Sequence, residues 1–197
     1  MPDYPPIYIL RHGQTEWNLQ RRCQGQMNSG LTALGRAQAA DQGVLLGAIF
    51  AAHPTIQVVC SPQGRARETA QIALVGNEVP IRFDPRVAEV GAGVWTGLPH
   101  DVIAKKWPAL FNDDITIFEA SLNAVKGEGY EGLTTRCLDF LSSLTGPTVV
   151  ITHGITSMVL RGLVCGLDFN AMKHLPFTQG CIFALIEAEE QIRTRRP

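Results

Sequence analysis

No stretch of this sequence is apolar for long enough to cross a bilayer as a helix. The longest greasy segment, residues 44–52, is interrupted by Gly47, and a span needs roughly 20 apolar residues. The amino terminus, Met1-Pro2-Asp3-Tyr4-Pro5-Pro6, lacks both the basic region and the apolar core of a secretory signal, so a cytoplasmic location is expected. Excess charge is lacking too. A formal net charge of -1 provides no global basic field for nucleic acid or an acidic membrane, and any positive potential has to be local. Cysteine pairs are missing: Cys23, Cys60, Cys137, Cys165 and Cys181 are odd in number, widely spaced and without a C-x-x-C. That spacing argues against a disulfide framework or a zinc site, and for reduced, mostly buried thiols.

What is present is a balance of 45% hydrophobic and 18% charged residues over 197 positions, which suits one folded domain spanning residues 1–197. Residues 7–10 read as a buried strand running into Arg11-His12-Gly13. Residues 19–30 read as a surface loop. Thr32 then caps a helix over about 33–50, with Leu34, Ala37, Val44, Leu45, Ala48 and Ile49 near one face and Gly35 and Gly43 weakening it locally. A strand at 56–60 closes at Ser61-Pro62 and leads into a helix over about 64–74, and 81–83 is another extended piece.

Residues 90–129 break into two or three short helical pieces between glycines and prolines. This insertion carries Trp95, Trp107, Phe111 and Phe118 and is expected to cover the active site, with Trp107 and Phe118 in a small satellite core. A helix over 130–144, a fully buried strand at 148–152, a helix over about 155–165 and a last strand at 182–186 complete the pattern. Residues 187–197 read as a charged tail that frays.

Three of these strands end in polar groups that would meet at one edge of a parallel α/β sheet. They are residue 10 into Arg11-His12, Cys60 into Ser61 with Arg65 beyond, and Thr152 into His153. In open α/β sheets ligands bind outside the carboxyl ends of the strands. Two histidines and two arginines gathered there suit a phosphoryl group. Arginine captures phosphate oxygens bidentately, and backbone N–H groups at a turn such as His153-Gly154 add donors.

Arg11-His12-Gly13, continued by Gln14-Thr15-Glu16-Trp17-Asn18, resembles the signature of the histidine phosphatase superfamily, also called the phosphoglycerate mutase-like family. The likeness continues in order along nearly the whole chain. The segment Ser61-Pro62-Gln63-Gly64-Arg65-Ala66-Arg67-Glu68-Thr69-Ala70 resembles the family's second motif, in which the arginine matching Arg65 binds the transferred phosphate. Glu89 with Gly93-Val94-Trp95-Thr96-Gly97 resembles the segment of the acid/base carboxylate, and Thr152-His153-Gly154 that of the second histidine. Gln24-Gly25, and Leu31-Thr32 with Gly35, resemble the loop and first helix. The resemblance implies a three-layer sandwich whose mostly parallel central sheet is flanked by helices, with Gln24 and Gly25 among the substrate contacts. Gly30, Glu68, Ala92 and Gly129 depart from the residues usual at those positions; no catalytic group is removed, and the substrate stays open.

The chemistry follows from the side chains. A neutral nitrogen of His12 attacks a phosphomonoester phosphorus in line, and water then attacks the phosphohistidine. Arg11, Arg65 and His153 neutralise the equatorial oxygens without a metal or other cofactor, Asn18 adds a neutral hydrogen bond, and Gly154 adds backbone donors. Glu89 protonates the leaving oxygen and later accepts a proton from water. His12 must keep one nitrogen unprotonated, while His153 is better charged.

His53, His100 and His174 lack motif context and read as structural, and Arg67 as a surface charge. Arg21 and Arg22 fit an anion contact and a solvated loop equally well; Glu16 and Glu128 are secondary candidates. A cysteine nucleophile is rejected because Ala66 stands where Cys60 would need its C-x5-R arginine. The expected partner is a small phosphorylated metabolite rather than nucleic acid or membrane, and homodimerisation is left open. A small-molecule phosphatase is favoured. A cofactor-dependent phosphoglycerate mutase is the alternative, disfavoured by the uncharged Val90-Gly91-Ala92-Gly93 after Glu89. A non-catalytic regulatory protein would be supported by a missing histidine or glutamate, and neither is missing.

Overall fold

The computed structural model describes residues 4–195; the expectations for residues 1–3 and for 196 and 197 lie outside it. In chain order the elements are β1 (Ile7–Arg11), α1 (Glu16–Leu19), α2 (Ala33–Ala52), β2 (Gln57–Cys60), α3 (Gly64–Ala73), β3 (Ile81–Phe83), α4 (His100–Lys106), α5 (Ile117–Leu122), α6 (Gly129–Ser142), β4 (Thr148–Thr152), α7 (Gly154–Val164), α8 (Phe169–Met172), β5 (Ile182–Ile186) and β6 (Glu189–Arg193). The six strands form one sheet in the order β3-β2-β4-β1-β5-β6. The pairs β3/β2, β2/β4 and β4/β1 are parallel, while β5 is antiparallel to β1 and β6 to β5.

Strand alternation sorts the core into two layers. Ile7, Ile9, Val59 and Val150 pack with α6 and α7 residues such as Leu133, Phe140, Met158 and Val159. Tyr8, Leu10, Val58, Val149 and Ile151 point the other way, onto Leu46 and Ile49 of α2 and Ala66 and Ala70 of α3. Helices thus cover both faces of a mixed, mostly parallel sheet. No helix among the described residues is long and apolar enough to cross a membrane.

Three expectations change. Residues 189–193 are not a fraying tail but an edge strand, joined to β5 through Glu187 (φ 53°) and Ala188 (φ 62°). Two successive left-handed residues make the kind of tight hairpin turn whose twist suits antiparallel strands. Phe118 packs in the main core with Leu122 and Leu133, whereas Trp107 does join Trp95, Ile103 and Phe111 in a satellite cluster. The loop is preceded by the single turn of α1, which takes in Leu19 and is capped at its amino end by a capping box on Thr15.

On α2, the stripe read as core is mostly exposed, Leu34 at 54% and Val44 at 58%. The buried face is Gly35, Ala39, Gln42, Leu46 and Ile49. A helix rich in alanine all round offers no amphipathic contrast, so close backbone packing chose the face. A Cβ on Gly35 would lie 2.0 Å from the carbonyl oxygen of Gln14, and one on Gly43 2.7 Å from that of Ala73. Gly35 is needed for the approach of α2 to the segment after β1.

Candidate active site

The same alternation that builds the core distributes the site residues. Continuing β1, Arg11 falls on the α7 side and His12 on the α3 side; continuing β4, Thr152 faces the carbonyl of Val87 (2.7 Å) and His153 turns towards α3. The parallel register sets Arg11 opposite Thr152, and the N–H of His12 donates to the carbonyl of Thr152 at 3.0 Å. β2 ends beside them, and the first turn of α3 brings in Arg65.

Arg65 is the buried hub. Its Nε–H lies 3.2 Å from Nε2 of His12 and 3.1 Å from Nδ1 of His153, and its terminal amines donate to the carbonyls of Met27 (2.5 Å) and Gly25 (2.8 Å). Burial lowers its pKa to about 10, an effect that Glu89 opposes. Nδ1 of His12 is 2.8 Å from the carbonyl of Gly13. A carbonyl only accepts, so Nδ1 carries the proton and the lone pair is left on Nε2. Nδ1 of His153 accepts from Arg65, which puts its proton on Nε2, 2.7 Å from the Ser61 hydroxyl. The two rings are 5.2 Å apart.

Burial, then the charge of Arg65, holds both imidazoles well below the usual histidine pKa, which favours the neutral rings that the contacts with Gly13 and Arg65 also require. An imidazolium would set the Nδ1 proton of His153 against the Nε–H of Arg65, so the charge expected on this residue needs an anion beside it.

Glu89 sits at the amino end of α7. One carboxylate oxygen accepts from the N–H groups of Val90 (3.0 Å) and Thr156 (3.1 Å) and from the Thr156 hydroxyl (3.1 Å); the other accepts from the N–H of Ile155 (3.3 Å). The helix end attracts negative charge, and here its first-turn amides hold Glu89, where the sequence reading had offered them to phosphate. Gly154 borders the Arg11 side chain: a Cβ there would lie 3.4 Å from the guanidinium, at ordinary van der Waals distance. Arg11 donates to the carbonyl of Phe177 (2.5 Å), lies 5.1 Å from that residue's ring centre and keeps a buried Nε without a partner. Burial lowers its pKa to about 10.

The remaining predicted contacts divide. Asn18 accepts at Oδ1 from the N–H of Thr15 (3.1 Å) and from Gln179 (3.3 Å), which leaves its NH₂ group as donor. Gln24 is buried with both ends engaged, donating to the Thr15 hydroxyl (2.9 Å) and accepting from that of Ser29 (3.2 Å); it braces the loop. Gly25, at φ 49°, presents its carbonyl to Arg65 and Gln63.

Ser61 stood at the expected sheet edge without an assigned role, and Gln63, Thr69, Phe177 and Gln179 were not among the expected site residues. Thr69 accepts from the N–H of Gly13 (3.0 Å), Gln63 from that of Glu89 (2.7 Å), and Gln179 donates to the carbonyl of His12 (3.0 Å). Phe177 and Gln179 had a topological signal: an antiparallel β5 starts at the edge where β1 ends, so the loop before it lies at the site.

Of the secondary candidates, Glu128 pairs with Arg136 and accepts from the N–H of Gly91, Glu16 is exposed, and His53 meets the Tyr8 hydroxyl at 2.8 Å. Arg67 is exposed, 4.8 Å above the Phe83 ring centre, and His174 is exposed. His100, read as structural, lies on the cavity wall beside Phe111. Cys60 is buried, with its thiol pushed up to about 12 by desolvation, which agrees with rejecting it as nucleophile. All five cysteines are free. No group of three or more His, Cys, Asp or Glu among the described residues is arranged to hold a metal ion. A cavity of about 800 Å³ opens above Arg11, His12, Arg65 and Glu89.

A flanked α/β sheet presenting two imidazoles and two guanidiniums at its carboxyl edge is a phosphoryl-handling architecture. The chain belongs to the histidine phosphatase superfamily (branch 1), whose model matches residues 7–196. Among curated relatives it is similar to Probable phosphoglycerate mutase GpmB of Salmonella paratyphi C (strain RKS4594), 39% identical over 93% of this chain and 85% of the relative. Among solved structures it resembles Bacillus stearothermophilus YhfR, at TM-score 0.81 and 27% identity over 97% of this chain and 96% of the other. A mycobacterial glucosyl-3-phosphoglycerate phosphatase, Rv2419c, solved with VO3, matches at TM-score 0.74 and 25% identity, covering 96% of each chain.

Proposed function

We propose that this protein is a metal-independent phosphatase that hydrolyses small phosphomonoesters through a phosphohistidine on His12. The observation that carries the reading is the tautomer. The Gly13 carbonyl holds the proton of His12 on Nδ1, so the lone pair lies on Nε2 at the floor of the cavity, where it accepts the one N–H of Arg65 that also faces His153 and is released for attack when that N–H turns to a phosphoryl oxygen. In the first step Nε2 bonds to phosphorus while the ester P–O bond breaks, and Glu89 gives a proton to the leaving oxygen. In the second, water bonds to phosphorus, the P–N bond breaks, and Glu89 takes the water's proton. Arg11, Arg65 and the NH₂ of Asn18 bind the phosphoryl oxygens. A phosphate dianion beside His153 favours its protonation, so the charge expected on this residue belongs to the loaded site. The VO3 complex of the mycobacterial relative is in keeping with oxyanion binding by a protein of this fold.

The name of the Salmonella relative favours a second reading, a phosphoglycerate mutase, in which the phosphoryl group returns to substrate before water reaches it. Both readings share His12 and differ in its fate. The test is release of phosphate from an aryl phosphate in the presence of a chelator, together with 3-phosphoglycerate assayed with and without its bisphosphate cofactor for phosphate release and isomerisation. Chelator-resistant hydrolysis that is lost in His12→Ala is expected. Activity abolished by chelation and retained by His12→Ala would overturn the reading, and isomerisation faster than release would establish the mutase.

A further inference from the structure

The phosphoryl-binding floor occupies one end of a cavity far larger than a phosphate. At about 800 Å³ it falls in the size range of pockets that enclose a whole small-molecule ligand, so most of the space belongs to the alcohol part of an ester. The wall beyond the floor includes Trp17, Ala104, Phe111, Ile115, Ile117 and Ile155, four of them from residues 90–129. Phe111 is held edge-on against Trp95, with centroids 5.9 Å apart at 86°, and tilted against His100 at 5.1 Å. Two aromatic contacts fix the ring while it still borders the cavity.

Two cations also border the cavity. Arg22 donates to the carbonyl of Gly97 at 2.8 Å, lies 5.3 Å from the Trp17 ring centre and keeps a buried Nε without a partner. Arg21 is exposed, as is Asp101, which lies 4.0 Å from Lys105. Burial, then Arg21, lowers the pKa of His100, which favours the neutral ring.

We infer that the preferred substrates carry a bulky, apolar leaving group, aromatic or long-chain aliphatic, that packs on Phe111, Ile115 and Ile117, with Phe111 a specificity-determining residue. The inference rests on the phosphatase reading, and it refines that reading by setting such esters apart from small polyanions such as 3-phosphoglycerate. The burial of an extra methylene on this wall lowers the free energy of the transition state, as it does that of the bound ground state. With the phosphate end fixed, specificity therefore climbs with leaving-group size until the cavity is filled.

The experiment has two arms. In the first, kcat/KM is measured along n-alkyl phosphates from propyl to octyl, whose alcohols differ little in acidity. An increase of about threefold to fourfold per methylene is expected, and Phe111→Ala should flatten the series while Phe111→Leu largely restores it. In the second, calorimetry compares methylphosphonate with naphthylmethylphosphonate, which need no turnover to bind; tighter binding of the larger ligand, lost in Phe111→Ala, is expected. Equal affinities, or a flat or falling alkyl series, overturn the inference while leaving the phosphatase reading in place. Size-dependent phosphonate binding with no hydrolysis of any ester overturns the phosphatase reading and upholds the apolar chamber.

Discussion

Arg65 directs its Nε–H at Nε2 of His12, 3.2 Å away, the one nitrogen of that ring that carries no proton. The contact keeps a cation beside the proposed nucleophile, and that cation helps hold the imidazole below its usual pKa. Replacing Arg65 by alanine removes both an oxyanion donor and this charge. Turnover should fall by roughly 10²–10³. The acid limb of kcat/KM, set by protonation of His12 in the free enzyme, should move up in pH towards the range of an ordinary histidine. A pH–rate profile of the variant checks both, and an unchanged rate places Arg65 outside the site.

Glu89 is held by three backbone N–H groups and a hydroxyl, so its position survives when its chemistry is altered. Glu89→Gln can keep a carbonyl oxygen on the donors of Val90 and Thr156, gives up the contact with the N–H of Ile155, and removes the proton donor. Losses in kcat/KM should therefore grow as the leaving alcohol becomes less acidic, being small for nitrophenyl and large for alkyl phosphates. Equal losses across a leaving-group series would contradict the acid role.

The two buried imidazoles also make stability depend on pH. Their native pKa values lie well below 6.5, so below about pH 6.5 the unfolded chain binds protons that the folded chain does not, and folding weakens as pH falls. Each group contributes a slope of about 1.4 kcal/mol per pH unit until its native pKa is reached. Urea midpoints measured between pH 7.5 and 5.5 should decline towards acid, with a shallower decline in His12→Asn. A flat profile would mean that the rings are not buried in neutral form.

Much of this arrangement was legible in the sequence because strand alternation and strand ends are local signals. Residues 7–10 and 148–152 are apolar enough to be read as buried strands, and the polar residues that end them had to meet once the strands were parallel. What escaped has a common cause, dependence on a partner distant in sequence. The strand at Glu189–Arg193 alternates no apolar face because it lies at the sheet edge, and its pairing with β5 defines it. Ser61 and Gln179 are ordinary polar residues until folding puts His153 and the His12 carbonyl in reach. The charge state of His153 turned on a single tertiary contact with Arg65, which no spacing encodes.

Two glycines in the same helix separate packing from propensity. A Cβ on Gly47 meets nothing within 4 Å, while one on Gly35 would lie 2.0 Å from the carbonyl oxygen of Gln14 and 2.8 Å from its nitrogen. The approach is mutual, since a Cβ on Gly13 would lie 2.1 Å from the carbonyl oxygen of Gly35. Gly47→Ala should therefore stabilise the protein by about 0.5–1 kcal/mol, the helix-propensity difference, with turnover unchanged. Gly35→Ala gains the same propensity but drives α2 against the backbone that follows His12. Overpacking typically costs about 1–3 kcal/mol and occasionally more, and movement that relieves it here shifts the backbone next to the Gly13 carbonyl that orients His12. Denaturant titration and aryl phosphate turnover, measured on both variants, should move in opposite directions for Gly35→Ala and Gly47→Ala in stability, with activity lost in Gly35→Ala alone. Equal stability for the two would mean that the close contact between α2 and the segment after β1 is not made in solution.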